Sequence, residues 1–138
     1  MKAVDTNVLA RFFVDDPDDA EAARQRPAAL EAMRGRVFVS VTVLLELEWV
    51  LRGFYELPPA ATHRALSALC SYENVVIEDR ANVQAALAAF KAGLDFADAL
   101  HLSRAAACSA LVTFDKRLLK RAATLANALP CELPGAAS

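Results

Sequence analysis

Short apolar runs alternate along this chain with segments whose apolar residues recur at helical spacing, and the alternation predicts strands and helices in turn. Lys2-Ala3-Val4 reads as a buried-type strand ending at Asp5, and Thr6 or Asn7 is placed to cap a helix through Val8, Leu9, Arg11, Phe12 and Phe13. Asp15-Asp16-Pro17-Asp18-Asp19 breaks the chain as a solvated turn and offers acids to the N-terminus of a helix from Ala20 to Met33. Pro27 is a point where that helix kinks or divides. Val37-Phe38-Val39 reads as a second strand, and Ser40 or Thr42 caps a helix carrying Val43, Leu44, Leu47, Val50, Leu51 and Phe54. Pro58-Pro59 opens a helix to about Tyr72, followed by a third strand at Asn74-Val75-Val76-Ile77. Val83, Leu87, Phe90 and Leu94 repeat at helical spacing, with Gly93 suited to the helix end. A further helix from Asp95 to about Cys108, a strand at Ala110-Leu111-Val112-Thr113, a helix begun by Asp115 and an edge strand at Cys131-Glu132-Leu133 complete the order. Strands separated by helices predict an α/β protein with a mainly parallel sheet covered on both faces. The expectation is a single domain over residues 1–134, with 135–138 a frayed C-terminal tail.

Composition sharpens this picture. A chain of 138 residues with 56% hydrophobic content is long and apolar enough to build a core. Its mean hydropathy of +0.27 leaves apolar surface for a partner. No apolar run approaches the length of a membrane span. The opening Met1-Lys2-Ala3-Val4-Asp5 leaves no room for a secretory signal, so the cytoplasm is the expected compartment. Cys70, Cys108 and Cys131 form no close pair, which fits reduced thiols, and with only His63 and His101 beside them a Cys/His zinc site is disfavoured. The net charge of −2 means that a nucleic-acid function needs a local basic patch and a cation in any acidic site.

The candidate chemistry lies in four acids: Asp5, Glu46, Asp98 and Asp115. Asp5 and Asp115 sit at carboxyl ends of predicted strands, where ligands of open parallel sheets bind. Asp98 shares a helical face with Leu102 and Ala105, and Glu46 interrupts an apolar stripe between Val43 and Val50. Two carboxylates roughly 4 Å apart repel by about 4 kcal/mol at an effective dielectric of ~20. A divalent cation reverses that sign. Convergence of all four would therefore make a magnesium site and a metal-dependent phosphodiesterase, with RNA the foremost substrate. Plainer roles exist for each acid. Asp5, Asp95 and Asp115 are placed as helix caps, Asp98 as a first-turn acid, Glu46 as a partner of Arg52 or another base, and Glu48 as a solvated residue. Thr113 is either an ordinary strand residue or a hydroxyl supporting the metal shell, and His101 reads as a partly buried histidine. Lys116, Arg117, Lys120 and Arg121 form a basic run that suits either a nucleic-acid backbone or a solvated helix face; Arg11 and Arg104 are further basic candidates. Neither a phosphate-binding GxxxxGK[ST] loop nor a GxGxxG fingerprint occurs.

In family order, Val4-Asp5-Thr6-Asn7, Glu46 in its apolar helix, Asp95-Phe96-Ala97-Asp98-Ala99-Leu100-His101 and Thr113-Phe114-Asp115-Lys116-Arg117-Leu118 resemble the PIN domain family, specifically VapC-type toxins of bacterial toxin–antitoxin pairs. The resemblance covers almost the whole chain. It implies a three-layer α/β/α sandwich with a mainly parallel central sheet. It also implies a Mg²⁺- or Mn²⁺-dependent endoribonuclease toxin that slows translation and leaves 5′-phosphate and 3′-hydroxyl ends. Asp5, Asp98 and Asp115 would hold metal, with Glu46 completing the site directly or through a water. Asn7, Asp95 and Thr113 are supporting candidates, and Lys116 and Arg117 candidates for RNA contact. The implied partners are an RNA substrate, a VapB-like antitoxin covering the site, a second copy in a homodimer, and operator DNA through the antitoxin alone. The apolar stretch around Trp49, Val50, Leu51, Phe54 and Tyr55 is a candidate partner surface, with simple core packing as the other reading.

Two rival classes are weaker. A receiver-like signalling module would need Asp79 as its phospho-accepting residue and leaves Glu46 and Asp98 without a role. An Asp-nucleophile phosphatase lacks its DxDx[TV] opening, since Asp5-Thr6-Asn7 has no second acid. A catalytically inert PIN domain used for binding sits poorly with a complete acidic set.

Overall fold

The computed structural model describes residues 1–126 and 128–135, in two compact units, Met1–Arg80 and Ala81–Ser138. Residues 136–138 of the expected tail lie outside the described residues.

The first unit runs β1 (Lys2–Ala3), α1 (Thr6–Phe13), α2 (Ala20–Ala32), β2 (Val37–Val39), α3 (Val41–Trp49), a π turn (Val50–Phe54), α4 (Pro59–Ser71) and β3 (Val75–Ile77). Its sheet has the order β1-β2-β3, parallel throughout, with Lys2 opposite Val37 and Val37 opposite Val75. β2 is central, and Val37 and Val39 are buried. Around it Leu9 of α1, Leu44 and Leu47 of α3, Leu51 of the π turn and Leu66 and Leu69 of α4 are all buried. Helix α1 packs on α2 and α3, and α4 packs on β3.

Local chemistry explains where these elements start and stop. Asp5, rather than Thr6 or Asn7, caps α1, its carboxylate accepting from the Val8 N–H at 3.3 Å. Val4 falls outside β1 yet still donates to the Phe38 carbonyl at 3.1 Å. Asp19 caps α2 through the Glu21 and Ala22 N–H groups. Pro27 does not divide α2. The preceding Arg26 donates to the Arg11 and Phe12 carbonyls at 2.8 and 3.3 Å, which ties that turn to the C-terminal end of α1. The Asn74 amide spans Met33 and Gly35 carbonyls at 2.7 Å each, holding the α2–β2 turn against the entry to β3. Ser40 caps α3, which passes at Val50 into the π turn, closed by the Tyr55 N–H on the Val50 carbonyl at 3.1 Å.

The second unit contains α5 (Arg80–Lys91), which starts at the unit boundary, then α6 (Phe96–Arg104), β4 (Leu111–Val112), α7 (Lys116–Ala122) and β5 (Cys131–Glu132). β4 and β5 pair in parallel, so the expected edge strand forms, with Leu111 opposite Cys131. Gly93 ends α5 at φ +110, a left-handed conformation that suits glycine. Phe90 and Phe96 stack obliquely at 5.6 Å, and Phe96, Leu100 and Leu118 are buried. Helix α6 is shorter than expected. It stops at Arg104 because the Ala105 N–H reaches the Leu102 carbonyl and the Cys108 N–H closes a tight turn on Ala105. Among the described residues, all strand pairs are parallel, and no helix is long and apolar enough to cross a membrane.

One expected assignment is reversed on α3. Glu48, read as solvated, is buried and ion-paired with Arg52 at 3.1 Å, whereas Glu46, whose plainer role was to pair with Arg52 or another base, is exposed. The two glutamates lie about 200° apart round a helix, so burying one turns the other outward. Because Arg52 is itself half-exposed, Arg52→Ala should destabilise by about 2 kcal/mol, below the ~3–5 kcal/mol of a fully buried pair. Glu48→Gln should cost less, since a neutral amide is easier to leave in that site. Urea denaturation of the two variants measures the difference, and equal costs would deny the buried carboxylate its role.

Candidate active site

Backbone chemistry delivers the predicted acids to helix N-termini. In the second unit, Asp95 caps α6, accepting from the Asp98 N–H at 3.4 Å. Asp115 caps α7, one oxygen accepting from the Arg117 and Leu118 N–H groups at 2.9 and 3.1 Å. The Asp115 N–H in turn donates to the Thr113 hydroxyl at 3.0 Å, so Thr113 shapes the turn that aims Asp115. Asp98 stands in the first turn of α6 and is half-buried; among the described residues its carboxylate accepts no hydrogen bond.

These three aspartates line one pocket of about 380 Å³, together with Arg117 and Arg121 of α7. Arg121 also donates to the Gly93 carbonyl, which fixes it at the rim. Arg117 and Arg121 are four residues apart and so share a helix face. Lys116 is exposed and lies outside the pocket lining. Burial, then the charges of Asp95 and Asp115, push the Asp98 carboxyl above its ordinary range, while His101 pulls it down. Burial and the Asp98 charge likewise raise the Cys131 thiol, which makes it a poor nucleophile.

In the first unit, Asp5 and Glu46 are linked through one residue. The Thr6 hydroxyl donates to Glu46 at 3.3 Å, and Asp5 caps the helix that Thr6 begins. Thr6, itself buried, was missed as a site residue; its place directly after Asp5, at the first position of α1, was the available signal. Arg121 was read only as part of the basic run. Asn7 is exposed and lines a separate groove with Arg11 and Trp49. The stretch expected as one apolar surface divides: Leu51 is buried, whereas Trp49 and Phe54 are exposed.

Among the described residues, no three His, Cys, Asp or Glu side chains stand close enough to cage a metal as they are. The donor set nevertheless suits a hard divalent cation. Its groups are carboxylate oxygens, and the repulsion from Asp95 and Asp115 that adds to burial in raising Asp98 is an interaction a cation would cancel.

Helices α1, α6 and α7 each open on an aspartate, and Asp95, Asp98 and Asp115 share one pocket of an α/β protein whose described strand pairs are all parallel. The PIN domain model matches residues 2–125, and the chain belongs to the PIN domain family. PIN domains are generally nucleases, hydrolases acting on nucleic acid, and typically bind divalent metals. No curated protein matches the chain. The family match leaves the receiver reading without support, and Asp79 occupies an exposed turn at φ +53.

The raised Asp98 carboxyl has a definite sign in stability. The folded state holds this proton more tightly than the unfolded chain, so stability falls as pH rises from the unfolded value of 3.8 through the raised folded value. In EDTA, Asp98→Asn should remove that part of the decline, and above this range the variant should melt no lower than the parent. Mg²⁺ should raise the melting temperature of the parent more than that of Asp98→Asn. Thermal melts across the carboxylate range, with and without Mg²⁺, test both expectations; identical Mg²⁺ shifts would place the cation elsewhere.

Proposed function

We propose that this protein is a Mg²⁺-dependent endoribonuclease, with Mn²⁺ as an alternative cation, acting as the toxin of a VapBC-type toxin–antitoxin pair. The observation that carries the reading is the pocket of Asp95, Asp98 and Asp115 flanked by Arg117 and Arg121, in a PIN family chain. Asp5, Asp98 and Asp115 are assigned to the metal, and Glu46 to the attacking water, with Thr6 orienting its carboxylate. Asp95 and Asp115 each use one oxygen as a helix cap, which holds the carboxylate rigid and leaves the other oxygen for a cation. Bound Mg²⁺ supplies charge neutralisation and a nucleophilic water at neutral pH. Arg117 and Arg121 hold the substrate phosphate at the rim and balance its charge. Water oxygen bonds to phosphorus, the P–O3′ bond breaks, and a proton goes to the departing 3′ oxygen, leaving a 5′-phosphate and a 3′-hydroxyl.

The setting that goes with this activity is the cytoplasm, with a VapB-like antitoxin covering the acids, a homodimer as the working form, and operator DNA reached only through the antitoxin. Cleavage of total RNA by the purified protein tests the central claim. Discrete cuts bearing 5′-phosphates should appear with Mg²⁺ and vanish in EDTA. Asp98→Asn should slow them by several kcal/mol of barrier, on the order of 100-fold or more, with folding preserved. Full activity in the folded variant would overturn the site assignment.

A further inference from the structure

A second concave surface lies in the first unit, a groove of about 450 Å³ whose walls include Asn7, Arg11, Trp49, Gly53, Phe54 and Tyr55. Two rings stand open to solvent there, Trp49 at 66% and Phe54 at 69% exposure. In an α-helix, residues five apart point about 140° away from each other. The π turn Val50–Phe54 is wider, and both rings line the same groove. Phe54 is braced edge-to-face by Tyr55 at 4.9 Å. Tyr55 is held by Arg11, which donates to its hydroxyl at 2.8 Å and to the Gln25 amide at 3.1 Å. The Phe54 and Tyr55 rings are thus set in place before any ligand arrives.

We propose that this groove is a stacking subsite for a nucleotide of single-stranded RNA flanking the bond to be cut. The proposal rests on the endoribonuclease reading above. Three observations favour RNA as the occupant. The first is charge. Both hydrogen-bond partners of Arg11 are neutral, so its guanidinium brings a positive charge that a phosphate can meet; Asp19 on the same wall keeps its negative charge, with one oxygen held by the Glu21 and Ala22 N–H groups. The second is the pairing of flat rings with an amide: Trp49 and Phe54 offer faces to a base, and Asn7 offers a donor and an acceptor to its edge. The third is continuity. Trp49 and Val50 follow Glu46 by three and four residues, and Arg11 follows Asn7 by four, so the groove opens one helical turn from the acid assigned to the attacking water. Stacking tolerates any base, so the rings hold and orient a strand whatever its sequence, and only the Asn7 amide can add a base preference.

Trp49 is the only tryptophan of the chain, so its fluorescence reports the groove directly. The probe is a random-sequence 2′-O-methyl RNA of about eight nucleotides, matched to a short single-strand site, titrated in EDTA so that neither metal nor cleavage contributes. Saturable quenching is expected. Phe54→Ala should weaken it about 5- to 150-fold, the equivalent of one stacked base, with an unchanged melting curve because Phe54 is exposed. Gly53→Leu should fold, since a Cβ there meets nothing within 4 Å, and should also abolish quenching by filling the groove. Arg11→Gln should lower the salt slope of binding by about 0.7, the share of one phosphate on a single strand. Absent quenching, or quenching unchanged in folded Phe54→Ala and Gly53→Leu, would overturn the subsite. So would a Trp49 blue shift that grows with protein concentration alone, which would give the groove to a second copy of the chain. Quenching that persists where total RNA is not cleaved would uphold the subsite and sink the nuclease reading instead.

Discussion

Like-charge repulsion among carboxylates is the constraint on which this structure turns. Asp95, Asp98 and Asp115 share a pocket, and each added negative charge makes the next harder to hold. The fold offsets part of that cost with backbone dipoles. Asp95 and Asp115 sit at the N-termini of α6 and α7, where N–H groups and the positive end of the helix favour a negative side chain. Asp98, in the first turn of α6, is also half-buried, and burial, followed by the charges of Asp95 and Asp115, raises its proton affinity against the pull of His101. The basic side chains on the same pocket, Arg117 and Arg121, come from the helix that Asp115 starts.

A capping role therefore does not compete with the metal-binding role proposed for these aspartates. A carboxylate has two oxygens, and a cap occupies one. Asp5 does for α1 what Asp95 and Asp115 do for their helices. A cap is short and rigid, so it also fixes where the remaining oxygen points. That is the preorganisation a metal site requires of its ligands.

The same economy shapes α3. Glu48 turns inward and is neutralised by Arg52, which leaves Glu46 facing out, where the Thr6 hydroxyl holds it. Beyond it the π turn brings Phe54 into one groove with Trp49, the last residue of α3, while Leu51 stays in the core. A five-residue change of helical pitch thus separates the part of this segment that packs from the part that is presented.

Element order and parallel pairing were legible in the sequence. Apolar runs and helical spacing depend on local periodicity, and Asp5, Asp98 and Asp115 stand beside those runs. The PIN resemblance was legible for the same reason, since its motifs are contiguous short segments. What the tertiary structure decided was orientation. Glu46 and Glu48 differ by two positions in an apolar helix, and only packing chooses which is buried. Thr6 and Asn7 are neighbours of similar chemistry, yet one reaches Glu46 and the other lines the groove. The pitch change at Val50 left no composition signal, because it is closed by a backbone bond that any residue can make. Periodicity sets which residues a helix has on one face; the neighbours that the face meets determine what each residue does.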